Sequence, residues 1–388
     1  MKFLHTLLTM ANLTSPRKLR IACVLDQQVG LKSHALNLMQ GLSEHPKVDA
    51  TLIPVEYGGG DHWLFRVPGL PNGIAGTLCA RSEIECGVAA LGDIDAILWG
   101  SWAAKSLPHI VERYPAFFVM DMTPNQMADM GEPYGYTKAR SGRFAAWKRR
   151  ATERIYRHGT AFFPWSDWVG ESLHHDWDVP MDIIHTIPPG VDTHRFHPRH
   201  TAEASVNLSA PVEVLFVGGD FERKGGPGLL AWAERHLSDV HLTVVTRDEI
   251  RNLPSNVTVR RGIGPNSPEL IALYQNSHIF ALPTVGDCYS MVAMEAMACG
   301  VPVVISDIGG IGDIIADGQT GYLCKPGDTA AFAAKLDTLV ADINLRNNMA
   351  ATARIRATEA FDASNCAHRL GNIIAECLST RSPELRVA

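Results

Sequence analysis

No stretch of this 388-residue chain stays apolar for the ~18 residues that a membrane span requires. None of the eight cysteines, at positions 23, 79, 86, 288, 299, 324, 366 and 377, has a neighbour at CxxC spacing. Several sit in apolar runs, as Cys23 does in Ile21-Ala-Cys-Val-Leu25, so reduced, buried thiols of a cytosolic protein are the plain reading. There is no excess of basic residues: 35 Lys and Arg stand against 41 Asp and Glu, a net charge of −6, which argues against a general nucleic-acid binder. Low-complexity tracts and short repeats are absent. So is a convincing phosphate loop. Gly310 and Gly312 lead to Ile315 instead of a third glycine, Gly262 and Gly264 lead to Ser267, and Gly226-Pro-Gly-Leu-Leu-Ala231 begins well past its strand. No GxxxxGK[ST] occurs, so a nicotinamide dehydrogenase or P-loop NTPase lacks its signature. Met1 to Met10 has no h-region or cleavage site and reads as a loose leader rather than a signal peptide.

The chain has the composition of an ordinary globular protein, 46% hydrophobic and 20% charged, which excludes a disordered chain or a small disulfide scaffold. Short apolar runs alternate with helical stretches. Arg20 to Leu25, Val48 to Val55, Ala96 to Gly100, Ala116 to Met120, Thr160 to Phe163 and Ile183 to Ile187 read as strands. His34 to Leu42 and Phe144 to Tyr156 have helical spacing. After the turn Pro188-Pro-Gly-Val-Asp192, a polar, weakly patterned stretch is the best linker candidate. A second series follows, with strands at Val212 to Val217, His241 to Val245, Val257 to Arg260, Ile279 to Pro283 and Val303 to Ser306, and helices at Ser290 to Cys299 and Thr329 to Asp342. Strands alternating with helices imply parallel sheets covered on both faces. Two such halves give an α/β protein of two doubly wound domains facing a cleft.

Three stretches carry polar groups where ligands bind such sheets. In Leu282 to Gly300, Asp287 lies in a loop and Glu295 eight positions later on a helix. Eight helical residues span ~12 Å, too far for the ~5–5.5 Å carboxylate pair of a retaining glycosidase, but suited to gripping two parts of one extended ligand. The helix start near Tyr289 and Ser290 offers free N–H groups to a phosphate. A core helix with one ion-paired glutamate fits the same residues. In Val214 to Gly226, a strand ends at Gly218 and Gly219 and is followed by Arg223 and Lys224, which could neutralise a diphosphate or form a solvated turn. Lys138 to Arg157 carries Lys138, Arg140, Arg143, Lys148, Arg149, Arg150, Arg154 and Arg157 against Glu153 alone. It is either a solvated helix face or a site for an anionic acceptor or membrane surface. His174, His175, His194, His197 and His200 form no clean ligand set, and no metal is expected.

Together these stretches resemble the retaining glycosyltransferases of family 4, which have the GT-B fold. The resemblance rests on Ile187-Pro-Pro-Gly-Val-Asp192 with Phe196, the strand-Gly…Arg-Lys-Gly loop, the carboxylate-x7-carboxylate helix, and the Gly309-Gly310 and Asp317-Gly-Gln-Thr-Gly321 turns. Gly30 and Ser166 carry it more loosely in the first half. It implies two Rossmann-like domains: 1–190 on the acceptor side, a linker at 191–208, a nucleotide-sugar domain at 209–360, and a helical segment at 361–388 that packs back on the first domain. It also implies roles. Glu295 would hold the ribose, Asp287 the transferred sugar and Lys224 the diphosphate, helped by Arg223. The backbone from Tyr289 and Ser290 to Met291 and Val292 would complete the phosphate site, with Gly30 close by, and Gly262 and Ile263 would seat the base. Gly219 stands where many members have arginine, Asp287 where glutamate is usual, and Ser290 where glycine is common. Met120 stands where many have histidine, which makes Asp121 the nearby catalytic candidate beside Asp287 and Lys224. The implied activity is a hexosyltransferase-type glycosyltransferase using a UDP-, GDP- or ADP-sugar and an unidentified acceptor, without metal or other cofactor. It would be cytoplasmic, with peripheral contact at the inner face of the membrane through 138–157 as the sharper reading of that stretch. A GT-B epimerase, a phosphorylase (for which no pyridoxal-lysine signal is present) and an inactive nucleotide-sugar-binding protein are the alternatives.

Overall fold

The computed structural model describes residues 17–59, 62–131, 142–199 and 210–380. The leader at Met1 to Met10, Lys138 and Arg140, His200, the linker from 201 to 208 and the end of the 361–388 segment lie outside them.

The first half runs β1 (Leu19–Asp26), α1 (Val29–Ser43), β2 (Val48–Val55), α2 (Asn72–Leu91), β3 (Ala96–Trp99), α3 (Pro108–Arg113), β4 (Ala116–Met120), α4 (Pro124–Asp129), α5 (Arg143–Arg157), β5 (Gly159–Pro164) and α6 (Asp167–Trp177). Its strands pair in the order β2-β1-β3-β4-β5, all in parallel. The second half runs β6 (Val212–Val217), α7 (Gly226–Ala233), β7 (Val240–Val245), β8 (Val257–Arg260), α8 (Pro268–Gln275), β9 (Ile279–Leu282), α9 (Met291–Ala298), β10 (Val303–Ser306), β11 (Gly321–Cys324), α10 (Thr329–Ala341), α11 (Ile343–Ala360) and α12 (Ala363–Thr380). Its sheet has the order β11-β10-β9-β6-β7-β8, again parallel. Both sheets are doubly wound. Each has one point where the strand order reverses, between β1 and β3 in the first and between β6 and β9 in the second, and open sheets of this kind bind ligands outside the carboxyl ends at that point.

The sequence explains the layering. Ile21, Ala22, Cys23, Val24 and Leu25 are all buried, as expected of a central strand covered by helices on both faces. Helices start where side chains accept from their first N–H groups: Thr123 and Gln126 form a capping box on α4, and Ser166, Ser290 and Asp328 cap α6, α9 and α10. Two readings change. Ile183 to Ile187 is not a strand. Met181–Ile183 is one turn of 3-10 helix, and Ile184 makes a single bridge to Phe162 before the prolines at 188 and 189 remove the donors a ladder needs. The start of the expected linker is packed rather than loose. Val191 bridges Asp362, Phe196 is fully buried against Tyr274, and Arg354 donates to the carbonyls of Thr193 and Phe196.

The chain crosses between the halves twice, at 187–192 and at 361–363, and the crossings lie side by side. The second crossing carries α12 back onto α1. Glycine at position 41 permits that contact, since a Cβ there would lie 2.5 Å from Ala367 Cβ. Replacing Gly41 with leucine should therefore lower stability by about 1–3 kcal/mol, the usual cost of overpacking. Urea unfolding checks this, and an unchanged midpoint would mean that α12 is not seated on α1.

Candidate functional site

Lys224 and Asp287 meet at the reversal point of the second sheet. Lys224 follows β6 and Asp287 follows β9, the two strands that flank it. Their Nζ and Oδ2 atoms are 2.5 Å apart, both side chains mostly buried. The two loops are pressed together by backbone. Gly225 has φ +76°, and a Cβ there would collide with the Pro283 carbonyl. Gly309, φ +63°, similarly lies against the Asp287 carbonyl. Only glycine fits such left-handed close approaches.

Arg223, expected to help Lys224 with the diphosphate, is engaged within the loops themselves. It pairs with Asp220 at 3.0 Å and donates to the Gly286 carbonyl, stapling the β6 loop to the β9 loop. Another cation occupies the neighbouring space. A Cβ on Gly219 would lie 2.8 Å from Nη2 of Arg247, at the end of β7, while the Lys224 side chain lies across Gly218. Two cationic side chains thus converge on the glycine pair. Arg247 has no hydrogen bond or ion pair to any described residue. The residues alone gave no reason to choose it, because it is far from the glycines in sequence and belongs to no motif.

Helix α9 begins beside this pair. Ser290 is buried and caps it, accepting from Ala293 N–H at 3.4 Å, and the N–H groups of Met291 and Val292 open the helix without intrahelical partners. Glu295, one turn further on, is 4% exposed and accepts from the Tyr274 hydroxyl at 2.8 Å. Burial raises its pKa to about 7, and the tyrosine's hydrogen bond only partly offsets this. Gly262, with φ +74°, and the half-buried Ile263 lie on the exposed loop after β8. Gly30 lies in the first turn of α1 with no atom within 4 Å of where a Cβ would be, so it does not pack against the α9 loop. Tyr289 is placed in the seam between the domains, its ring 6.1 Å from that of Trp165. In the same seam Asp167 N–H donates to Asp313 at 2.8 Å, and the backbone of Gly310 is close to Ser166.

The first domain brings Asp121 to the site. Met120 is buried in the core at the end of β4, and the next residue turns the other way. Asp121 accepts from Ser101 Oγ at 2.5 Å and from Cys288 Sγ at 3.5 Å, a contact across the cleft to the residue that follows Asp287. Burial raises its pKa. The structure therefore gathers Asp121, Lys224, Asp287 and the start of α9, with Glu295 deeper on the same helix and Arg223 bridging the β6 and β9 loops.

This arrangement is the GT-B fold, and known proteins share it. A sucrose-phosphate synthase from Thermosynechococcus elongatus superimposes with a TM-score of 0.73 at 18% identity, over 94% of this chain and all of that one. The Anabaena protein HepE, in complex with UDP and glucose, does so with a TM-score of 0.65 at 13% identity, over 92% of this chain and all of that one. Residues 206–356 match the family described as glycosyl transferases group 1. The D-inositol 3-phosphate glycosyltransferase of Corynebacterium aurimucosum is 32% identical over 231 residues, 54% of this chain and 55% of that protein. The alpha-maltose-1-phosphate synthase of Mycolicibacterium smegmatis is 29% identical over 215 residues, 48% and 55% of the two chains. The match thus spans about half the length of these relatives.

The position of Glu295 has a consequence for stability. Between its ordinary pKa of 4.5 and about 7, the folded protein holds a proton on this carboxyl that the unfolded chain has lost. Stability then falls as pH rises through that window. Glu295→Gln, which cannot ionise, should flatten the pH dependence of urea unfolding between those limits. An unchanged slope in the variant would show that the carboxyl is not buried as described.

Proposed function

We propose that the chain is a retaining, hexosyltransferase-type glycosyltransferase that moves a sugar from a nucleotide sugar to an oxygen nucleophile. One observation carries this reading. Lys224 and Arg247 converge on the glycine pair that ends β6, at the reversal point of the second sheet, with Asp287 paired to Lys224 and the amino end of α9 following Asp287 closely in the chain. Positive groups held in place suit a leaving group on which negative charge develops. The group 1 match over 206–356 and the names of the relatives support the same reaction, and the neighbour bound to UDP and glucose makes UDP-sugars the first donors to test, before GDP- and ADP-sugars. Both relatives' names contain a phosphate ester.

In the proposed reaction the bond between C1 of the sugar and the diphosphate oxygen breaks. Lys224, Arg247 and the Met291 and Val292 N–H groups take up the charge on the diphosphate. Asp287 orients the sugar hydroxyls and Glu295 holds the ribose. The acceptor oxygen bonds to C1 from the face that the diphosphate leaves, and its proton passes to a leaving phosphate oxygen, giving a nucleoside diphosphate and the glycoside. These groups already supply the positive charge, so the proposal calls for no metal or other cofactor. Arg247 against Gly219 also speaks for this reading over an inactive nucleotide-sugar-binding protein, because the position expected to carry a cation is served from β7.

Peripheral contact with an anionic membrane is part of the proposal. On α5, Arg149 is engaged with Glu153 and the Asp176 carbonyl, and Arg154 with Glu112. Arg143, Arg150 and Arg157 are exposed, and Trp147, four residues after Arg143 and three before Arg150 on the same helix, is 63% exposed. Basic groups next to an exposed aromatic ring suit a headgroup layer. Among the described residues no helix is long and apolar enough to cross a membrane.

Thermal-shift measurements with UDP-, GDP- and ADP-sugars should show stabilisation by one donor class, and that donor should be hydrolysed slowly in water. Lys224→Ala should then cut turnover by roughly 100-fold or more, the scale of losing one charge-stabilising group. Arg247→Ala should raise the donor KM roughly 10-fold. Circular dichroism should show both variants folded, and full activity in Lys224→Ala would overturn the assignment. Phosphatidylglycerol vesicles should sediment the protein at low salt and release it at high salt, with Arg143→Glu/Arg150→Glu reducing the bound fraction. Binding that ignores both salt and the substitutions would leave α5 a solvated face.

A further inference from the structure

A groove distinct from the donor site runs between α7 and α10 in the second domain. Its volume is about 650 Å³, within the ~300–1,000 Å³ usual for small-molecule sites. Leu229 and Trp232 on α7 and Phe332 and Leu336 on α10 line it, and each is at most 5% exposed overall. The two helices approach closely at their amino ends, where a Cβ on Gly228 would lie 3.6 Å from Cγ2 of Thr329. From Gly225 to Arg235 the lining follows α7 for ~15 Å. Gly225 and Pro283 belong to it as well, so it backs onto the close backbone contact next to Lys224.

Polar groups in this apolar groove lack partners. Ser306, at the end of β10, lines it and is 1% exposed, yet its hydroxyl makes no hydrogen bond to any described residue. Gly228 N–H, third in α7, has no intrahelical acceptor, and the cap position Gly225 offers no side chain in its place. Ala330 N–H, second in α10, is left over in the same way, because the Asp328 cap serves Ala331. Buried donors without acceptors are costly. The charges at the edge lean positive. Lys325 and Arg235 make no ion pair with any described residue. Among the acids, Asp328 accepts from Ala331 N–H at 2.9 Å and Asp337 from Trp232 Nε1 at 2.7 Å, which leaves Glu222 as the unengaged one among the described lining residues. An oxyanion would meet the hydroxyl, the two N–H groups and the Lys325 ammonium together, and an alkyl chain would cover the apolar walls.

We propose that the groove between α7 and α10 binds a medium-chain amphiphilic anion, its head group at Ser306, Lys325 and the amino ends of the two helices, its chain between Trp232 and Phe332. A carboxylate and a phosphate monoester share the chemistry of the head. The site shares none of the side chains assigned to the nucleotide sugar, and it stands whether or not the chain transfers a sugar.

The test uses the full chain without nucleotide sugar and three probes below their micellar concentrations: decanoate, decyl phosphate and decanol. Titration calorimetry should show at least one of the two anions bound with a single site, and decanol bound at least roughly 10-fold more weakly, the scale of losing the charge-assisted contacts. Whichever anion binds more tightly identifies the head group as carboxylate or phosphate. Lys325→Glu, at an exposed position, should weaken the bound anion roughly 10-fold or more. Ala333→Trp, which fills the groove from α10, should abolish binding in a protein whose circular dichroism is unchanged. The proposal is overturned if neither anion binds, if decanol binds as tightly as the anions, or if Lys325→Glu binds them as the wild type does.

Discussion

Lys224 and Asp287 come from loops 63 positions apart, and each loop takes its shape from the other. The pair is mostly buried, and breaking a buried ion pair by removing one partner typically costs 3–5 kcal/mol. Its neighbours make the placement rigid. Gly225 lets the β6 loop reach the Pro283 carbonyl, Arg223 ties that loop to Gly286, and Gly309 presses the β10 loop on the Asp287 carbonyl. The start of α9 follows directly, so the orientation of its first N–H groups depends on the same clamp. A site meant to meet developing charge needs this kind of fixed geometry, since groups already in position do not have to reorganise as charge appears.

The first domain is attached by a different principle. Its seam with the second domain includes packing of Trp165 against Tyr289 and of the backbone of Gly310 against Ser166, with His34 backing Trp165 from within the first domain. Polar closure is incomplete there, although Asp167 N–H donates to Asp313 and Asn266 to Asn37. His34 Nε2, Trp165 Nε1 and the Tyr289 hydroxyl are buried without partners among the described residues, and such groups cost about 1–3 kcal/mol each. The adjacent crossings at 187–192 and 361–363 and the seating of α12 on α1 keep the two halves together. The cleft between the sheets thus has one wall fixed by ions and loops and a second wall brought to it by apolar packing. Asp121 and Cys288 are one of the places where the walls touch.

Much of this was legible in the residues. Fully apolar strands such as Ile21 to Leu25 and the alternation with helices indicate two parallel sheets, because only strands covered on both faces can be apolar throughout. The loop after Gly218 and Gly219 and the acidic pair on the α9 segment were visible as polar exceptions in apolar surroundings. Other features left no such mark. The strand β11 pairs only at a sheet edge and is made of Gly-Tyr-Leu-Cys, so it reads as a turn. The run Ile183 to Ile187 has the composition of a strand, but the two prolines and the nearby 3-10 turn leave it a single bridge. The role of Arg247 was hidden because it depends on the absence of a side chain at Gly219, and an absence becomes space only when another strand is laid beside it.

The residues by themselves determined the class of architecture and the donor-side loops, since burial pattern, glycine placement and charge at strand ends are local properties. Tertiary structure decided which charges share a site. Strand order set β6 beside β9 and β7, which turned Arg223 into a staple, brought Arg247 to the glycines and placed Asp121 opposite Asp287. That order follows from how helices cover the two faces of a twisted sheet and from the return of α12 to α1, a balance of contacts between segments distant in sequence that no single stretch of the chain contains.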